Sequence, residues 1–189
     1  MASPTMAHLN LSKHVLRYLK GTIGHGLLFK KCNPDNLCWV GYSDASWANS
    51  PDRRSISGYC FSVGEGNSFI SWKSKKQGIV ALSSCESEYI ALAYAVQEAI
   101  FLQQLCRDMY VLSECSTMNI NVDNMGAIDL SMNPIHHQRS KHIDTRFHFV
   151  RSKIADGTIS LSYCPSNENK ADVFTKPCTK QSLAKFAVY

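Results

Sequence analysis

The sequence has 189 residues, a mass of 21.1 kDa, 44% hydrophobic and 19% charged residues, and a formal net charge of +5. These values indicate one packed domain with at most a short appendage, exclude a disordered or highly charged tail, and permit a polyanionic partner. The longest apolar run, residues 89–96, is too short to cross a membrane, and the N-terminus lacks the pattern of a secretion signal, so we expect an intracellular protein with no membrane partner.

The first predicted element is a helix near the N-terminus. Leu11, Val15 and Leu19 share one helical face, and Gly21 ends the periodic pattern. The polar segment 30–36 contains a Pro-Asp-Asn turn and is typical of a linker. We therefore predict a domain boundary there, with an appendage at residues 1–36 and the main domain at residues 37–189.

Three strands and a long helix are predicted next. The strands cover residues 37–44, 58–63 and 68–73, and the short turns between them indicate an antiparallel meander. Ser83 and Glu86 have the spacing of a capping box, which predicts the start of a helix that runs to about residue 110. The first half of this helix is apolar on nearly all sides, as expected for a helix packed into a core.

The second half of the chain mixes strands and helices. We predict a strand at 118–122, a short helix at 125–132, and a helix with Ile143, Phe147 and Val150 on one face that stops at Gly157. A strand at 158–163 and a final helix that begins at 165–167 and ends at Phe174 complete the domain. The order β-β-β-α-β-α-α-β-α predicts an α/β protein with a mixed sheet flanked by helices.

Four acidic residues lie where predicted elements begin or end: Asp44, Glu88, Asp123 and Asp172. Such junctions tend to meet at one rim of a sheet. Four carboxylates brought together would repel one another unless cations neutralise them, and hard oxygen ligands select Mg²⁺ or Mn²⁺. A pair of such ions is a known device for phosphodiester cleavage, so we predict that all four residues bind metal and act in catalysis.

Each acid also has a purely structural alternative. Asp44 could be a turn residue, Asp123 with Asn124 could cap the following helix, and Asp172 could favour a helix macrodipole. Glu88 is harder to explain in this way. It shares a helical stripe with Leu92 and other apolar residues, where an unpaired carboxylate is costly. Glu86 is its competitor, but the capping box accounts for that residue.

Seven stretches carry a family resemblance: 41–48 (GYSDASWA), 52–59 (DRRSISGY), 70–77 (ISWKSKKQ), 81–89 (ALSSCESEY), 122–124 (VDN), 139–144 (RSKHID) and 171–177 (ADVFTKP). In order and spacing they resemble the ribonuclease H domain of copia-type retrotransposon polyproteins. Residues 14–22 (HVLRYLKGT) resemble the end of the reverse transcriptase region. Residues 1–36 are accordingly interpreted as the tail of that region, and residues 37–189 as the ribonuclease H domain.

The resemblance implies a ribonuclease H-like fold and hydrolysis of the RNA strand of RNA–DNA hybrids during reverse transcription. It implies that Asp44, Glu88, Asp123 and Asp172 bind two Mg²⁺ or Mn²⁺ ions, and that the polymerase region of the same polyprotein is a partner. The expected location is a cytoplasmic virus-like particle or the nucleus.

Two alternatives stay open, and the loop before the last acid differs from that of many cellular ribonucleases H. Many cellular ribonucleases H carry a His in the loop before the last acid, whereas residues 163–168 (YCPSNE) contain none. The chain could be a catalytically inactive or domesticated module that binds hybrids or serves a structural role on the same fold. It could also be another nuclease or an integrase with this fold, which the order and number of acids disfavour.

Candidate nucleic-acid contacts are mostly cations that could follow a phosphate backbone. They are Arg53, Arg54, Lys73, Lys75, Lys76, Arg139, Lys141, His142 and Arg146, together with Asn124. Their alternative is an ordinary solvated surface. The eight cysteines form no C-x-x-C pair, and the histidines have no compact ligand spacing, so we predict free thiols and no zinc site.

Overall fold

A computed structural model describes residues 3–29, 38–64, 69–109, 117–132 and 141–179, and for residues 141–144 it describes only the backbone. The elements are α1 (Met6–Gly21), β1 (Trp39–Ser46), β2 (Ile56–Val63), β3 (Phe69–Lys76), α2 (Ser84–Asp108), β4 (Met118–Val122), α3 (Met125–Met132), α4 (Lys141–Ala155), β5 (Ile159–Tyr163) and a 3₁₀ helix (Lys170–Phe174). The predicted linker at 30–36 lies outside the described residues.

The five strands form one mixed sheet in the order β3-β2-β1-β4-β5. The pairs β1–β2 and β2–β3 are antiparallel, whereas β4 runs parallel to both β1 and β5. Parallel neighbours need long crossover connections, and α2 supplies one before β4 while α3 and α4 supply the other before β5. The predicted mixed sheet flanked by helices is therefore confirmed.

The two faces of the sheet are covered very differently. On one face α2 packs into a large core in which Phe61, Leu92, Val96 and Ile120 are fully buried, because most sides of its first half are apolar. On the other face the short 3₁₀ helix covers a small cluster built on Cys60, Phe69 and Ala171. We call these the α2 face and the 3₁₀ face.

Gly58 in β2 permits the close approach of the 3₁₀ helix to the sheet. A Cβ atom at this position would lie 2.7 Å from Cγ2 of Thr175 and 2.9 Å from the backbone oxygen of Ala171. Only a residue without a side chain fits this space. The 3₁₀ helix and the residues that follow it are thus held directly against β2, beside β1.

Helix α1 forms as predicted but buries no residue. Thr5 caps it by accepting from the His8 amide, and its apolar side chains, including Leu11, Val15 and Leu19, are about half exposed or more. None of the helices among the described residues is long and apolar enough to cross a membrane.

Three local expectations are corrected by the structure. Strand β1 continues to Ser46, so Asp44 lies within the strand rather than at its end. The final helix is a 3₁₀ helix that starts at Lys170, after a turn, instead of at 165–167. The capping box is only half formed: Ser83 accepts from the Glu86 amide at 3.1 Å, but the Glu86 carboxylate accepts from the Leu82 amide at 2.8 Å rather than from Ser83.

Candidate metal centre

Asp44 points from β1 toward the 3₁₀ face. It pairs with Gly58 across the antiparallel ladder, so its side chain lies over the glycine that admits the 3₁₀ segment. The carboxylate is only 2% exposed, and its Oδ2 accepts a hydrogen bond from the Thr175 hydroxyl. Burial raises the pKa of Asp44, while Thr175 and then Lys176 oppose that increase.

Glu88 reaches the same place from the opposite layer, in the second turn of α2. The side chain is 7% exposed, and the Ala45 amide donates to its carboxylate. Its Oε2 is buried and has no hydrogen-bond partner within the described part of the chain. Burial, with the charges of Asp44 and Asp123 as further causes, raises the pKa of Glu88 to about 9.

Asp123 completes the group because β4 runs parallel to β1. Val122, the last residue of β4, pairs with Ser43, which places Asp123 beside Asp44. Helix α3 does not need Asp123 as a cap, since Oδ1 of Asn124 accepts from the Ala127 amide at 3.1 Å. Asn124 is therefore the residue that caps α3, and the Asp123 carboxylate is available to the group with Asp44 and Glu88.

The three carboxylates converge on one point. Asp44, Glu88 and Asp123 each offer an oxygen, and the three oxygens lie within 4.8 Å of one another. Such a cluster of acids destabilises itself when all members are ionised. A divalent cation would relieve the repulsion and would give the buried Oε2 of Glu88 a partner. The three carboxylates therefore fit a hard ion that prefers oxygen ligands.

Asp172 stands next to this group but outside it. Its carboxylate, which is partly buried, forms an ion pair with Lys176, one turn further along the chain. Asp172 still acts on the site electrostatically, because it contributes to the raised pKa of Asp44. The structure thus brings three of the four predicted acids together and gives the fourth a cationic partner.

Thr175 and Lys176 are the site residues that sequence reasoning misses. Both belong to the stretch 171–177 that carries the family resemblance, so the signal was present without an assigned role. Thr175 contacts Asp44 and Lys176 contacts Asp172, so adjacent residues serve two acids. The contact between Thr175 and Asp44 spans 131 positions in the chain.

The predicted cationic contacts are only partly available. Lys76 pairs with Asp52 at 2.8 Å, Arg54 lies 3.7 Å from the same carboxylate, and the Lys75 ammonium lies 4.6 Å from the centre of the Tyr94 ring. Arg53 and Lys73 are exposed. In the sheet, β3 is separated from β1 by β2, so its lysines lie roughly two strand spacings, about 10 Å, from the strand of Asp44.

The remaining candidates lie in the second half of the chain. Nη1 of Arg146 is buried and has no hydrogen-bond partner among the described residues. Asn124 uses its side-chain oxygen as the cap of α3. Arg139 falls outside the described residues, and for Lys141 and His142 only the backbone, at the start of α4, is described.

Two curated relatives align with nearly the whole chain. The retrovirus-related Pol polyprotein from transposon TNT 1-94 of Nicotiana tabacum is 38% identical over 188 residues, which are 98% of this chain and 14% of the relative. The corresponding polyprotein from transposon RE1 of Arabidopsis thaliana is 37% identical over 99% of this chain and 12% of its own length. No family model matches the sequence.

The homologues of this chain are thus retrovirus-related Pol polyproteins of copia-type transposons, at 37–38% identity over nearly its whole length. The chain spans about one seventh of the length of these relatives.

Solved structures agree on the fold. The N-terminal RNase H domain of Rv2228c from Mycobacterium tuberculosis is similar with a TM-score of 0.56 and 11% identity, over 79% of this chain and 98% of that one. LC11-RNase H1, solved in complex with an RNA/DNA hybrid, gives a TM-score of 0.52 and 15% identity over 77% of this chain and 99% of its own. The chain therefore has the ribonuclease H fold, as predicted.

Proposed function

We propose that this chain is a metal-dependent ribonuclease H that hydrolyses the RNA strand of RNA–DNA hybrids during retrotransposon reverse transcription. The observation that carries the proposal is the convergence of Asp44, Glu88 and Asp123, with a buried Glu88 oxygen that has no partner in the described chain. Similarity to a segment of Pol polyproteins and the ribonuclease H fold support the substrate class, since LC11-RNase H1 is similar in fold and was solved with such a hybrid.

In this proposal Asp44, Glu88 and Asp123 hold the first divalent ion, and Asp172 joins the site when a second one binds. Two bound ions, Mg²⁺ or Mn²⁺, would supply an activated water and stabilise the leaving oxygen of the cleaved phosphodiester. The chain's own task is to hold the carboxylates in a fixed geometry. Thr175 and Lys176 serve this task in the structure, because each of them contacts one acid.

Substrate binding in this proposal uses cations beside the site. Arg53 and Lys73 are exposed, and Lys75 is held over the Tyr94 ring, so these three are the better placed of the described candidates. Lys76 and Arg54 would first have to give up their contact with Asp52. Residues 1–36 would be the tail of the reverse transcriptase region, which is the proposed partner within the polyprotein.

The test is cleavage of a labelled RNA–DNA hybrid in Mg²⁺ or Mn²⁺ by the parent, by Asp123→Asn and by Asp129→Asn. Asp123→Asn should lower the rate by about 100-fold or more, because it removes a proposed ligand. Asp129→Asn is the matched control, because Asp129 is an exposed acid on the neighbouring helix α3. This variant should cleave the hybrid like the parent. Hybrid binding without cleavage by the parent in either metal would instead favour the non-catalytic module.

A further inference from the structure

The hydroxyl and the methyl group of Thr175 have different surroundings. The residue follows the 3₁₀ helix directly and is 2% exposed. Its hydroxyl donates to Oδ2 of Asp44. Its methyl group, Cγ2, fills the space left by the missing side chain of Gly58. The two groups can therefore be removed separately by substitution.

The hydroxyl has one hydrogen and two acceptors within reach. The backbone oxygen of Asp172 lies 3.1 Å from Oγ1, and Oδ2 of Asp44 lies closer. A bond to a charged acceptor is stronger than a bond to a neutral one, so the carboxylate of Asp44 takes the hydrogen. Oδ2 is thereby fixed, and with it the orientation of the Asp44 carboxylate, which offers an oxygen to the group formed with Glu88 and Asp123.

The segment that carries Thr175 is itself fixed to β1. The Asn169 side-chain amide donates to the backbone oxygen of Ser43 at 2.8 Å, and its Oδ1 accepts from the Ala171 amide at 3.0 Å. The Thr175 amide donates to the Asp172 oxygen at 3.1 Å. The segment is thus attached to β1 at Ser43 and again at Asp44, so the Thr175 hydroxyl has little freedom to move away.

We propose that Thr175 is a positioning residue of the metal centre: its hydroxyl sets the orientation of Asp44 and thereby the affinity of the site for divalent cations. This inference rests on the proposed function only in assuming that the carboxylate group binds such a cation. The competing explanation is that Thr175 is retained for packing alone, with its methyl group against Gly58. The two explanations assign the effect to different atoms of one side chain.

The test compares Thr175→Val with Thr175→Ser in the full chain, without nucleic acid. Valine keeps the methyl group and loses the hydroxyl, whereas serine keeps the hydroxyl and loses the methyl group. Titration with Mn²⁺, followed by calorimetry or by electron paramagnetic resonance of the free ion, gives the affinity. Thermal unfolding in EDTA gives the stability without metal.

We expect Thr175→Val to weaken Mn²⁺ binding by about 10-fold or more, the usual consequence of losing a hydrogen bond to a metal ligand. Thr175→Ser should bind Mn²⁺ like the parent but unfold at a lower temperature. If Thr175→Val does not fold, Thr175→Ala takes its place, because serine differs from alanine only by the hydroxyl.

Two results would overturn the inference. One is parental Mn²⁺ affinity in the variant that lacks the hydroxyl, and the other is equal weakening in both variants, which would assign the effect to packing. Failure of the proposed function looks different. In that case the parent itself would show no Mn²⁺ site that Asp123→Asn removes.

Discussion

The two faces of the sheet meet at the carboxylate group, and they contribute to it in different ways. The α2 face provides Glu88 from a long helix embedded in the large core, and the result is a buried acid whose pKa is raised to about 9. The 3₁₀ face provides Asp172, Thr175 and Lys176 from a short segment over a small cluster, and here acids have donors or a cation as partners. Burial on the α2 face thus raises the cost of ionising an acid of the site, whereas hydrogen-bond donors and a cation on the 3₁₀ face lower that cost.

The largest expected effect is the loss of core packing on the α2 face. Leu92→Ala removes a fully buried side chain and should lower the free energy of unfolding by about 2–5 kcal/mol. Leu82→Ala is the matched control, because this leucine is 77% exposed and precedes the same helix, so its cost should stay within about 0.5 kcal/mol. Urea unfolding of both variants measures the difference, and equal costs would mean that α2 is not the main support.

A smaller effect is expected on the 3₁₀ face. Gly58→Ala forces a methyl group against Thr175 and Ala171 and should cost about 1–3 kcal/mol. Gly78→Ala has no atom within 4 Å of the added carbon, so it should be neutral or slightly stabilising. Because the 3₁₀ segment also carries Thr175, Gly58→Ala should weaken Mn²⁺ binding as well. Unfolding in EDTA and an Mn²⁺ titration of each variant test both statements.

The most gradual of the expected effects is a pH dependence of the metal-free protein. The pKa of Glu88 is raised from 4.5 to about 9 by burial and by the charges of Asp44 and Asp123. Between these values the folded protein holds a proton that the unfolded chain releases, so the contribution of Glu88 to stability is greatest below pH 4.5 and falls as pH rises to about 9. The slope from this group is at most about 1.4 kcal/mol per pH unit.

The measurement for this prediction is urea unfolding in EDTA at several pH values, for the parent and for Glu88→Gln. Subtraction of the two curves isolates Glu88 from the other acids. We expect the difference in stability to grow with pH between 5 and 9 in favour of the variant. A difference that does not change with pH would contradict the protonation of Glu88 in the folded protein.

Local patterns carry much of the fold. Strand β4 and helix α3 are predicted with their observed bounds, since Asn124 provides a cap between an alternating strand and a helix. The meeting of Asp44, Glu88 and Asp123 agrees with the expectation that these acids gather at one place, although Asp44 lies inside β1 rather than at its end, and their role as metal ligands stays a prediction. What local patterns miss is set by distant contacts: β1 continues past Asp44 because it pairs through Ser46 with β2.

The hydrogen-bond partners of the acidic side chains could not be predicted from the sequence either. Glu86 satisfies the Leu82 amide rather than that of Ser83, a choice between neighbouring donors that spacing alone does not distinguish. Thr175 reaches Asp44 only because Gly58 lets its segment approach the sheet. The first contact is a local choice between nearby amides, whereas the second depends on the tertiary arrangement.

The position of β3 at the edge of the sheet has a consequence for self-association. An edge strand exposes unpaired backbone groups that can recruit a strand from another molecule, and lysines on the edge oppose such pairing. Lys73, Lys75 and Lys76 all lie on this strand and are exposed. The charges proposed to meet a phosphate backbone therefore also oppose strand pairing at this edge of the sheet, so replacing these lysines to test substrate binding should also raise the tendency to aggregate.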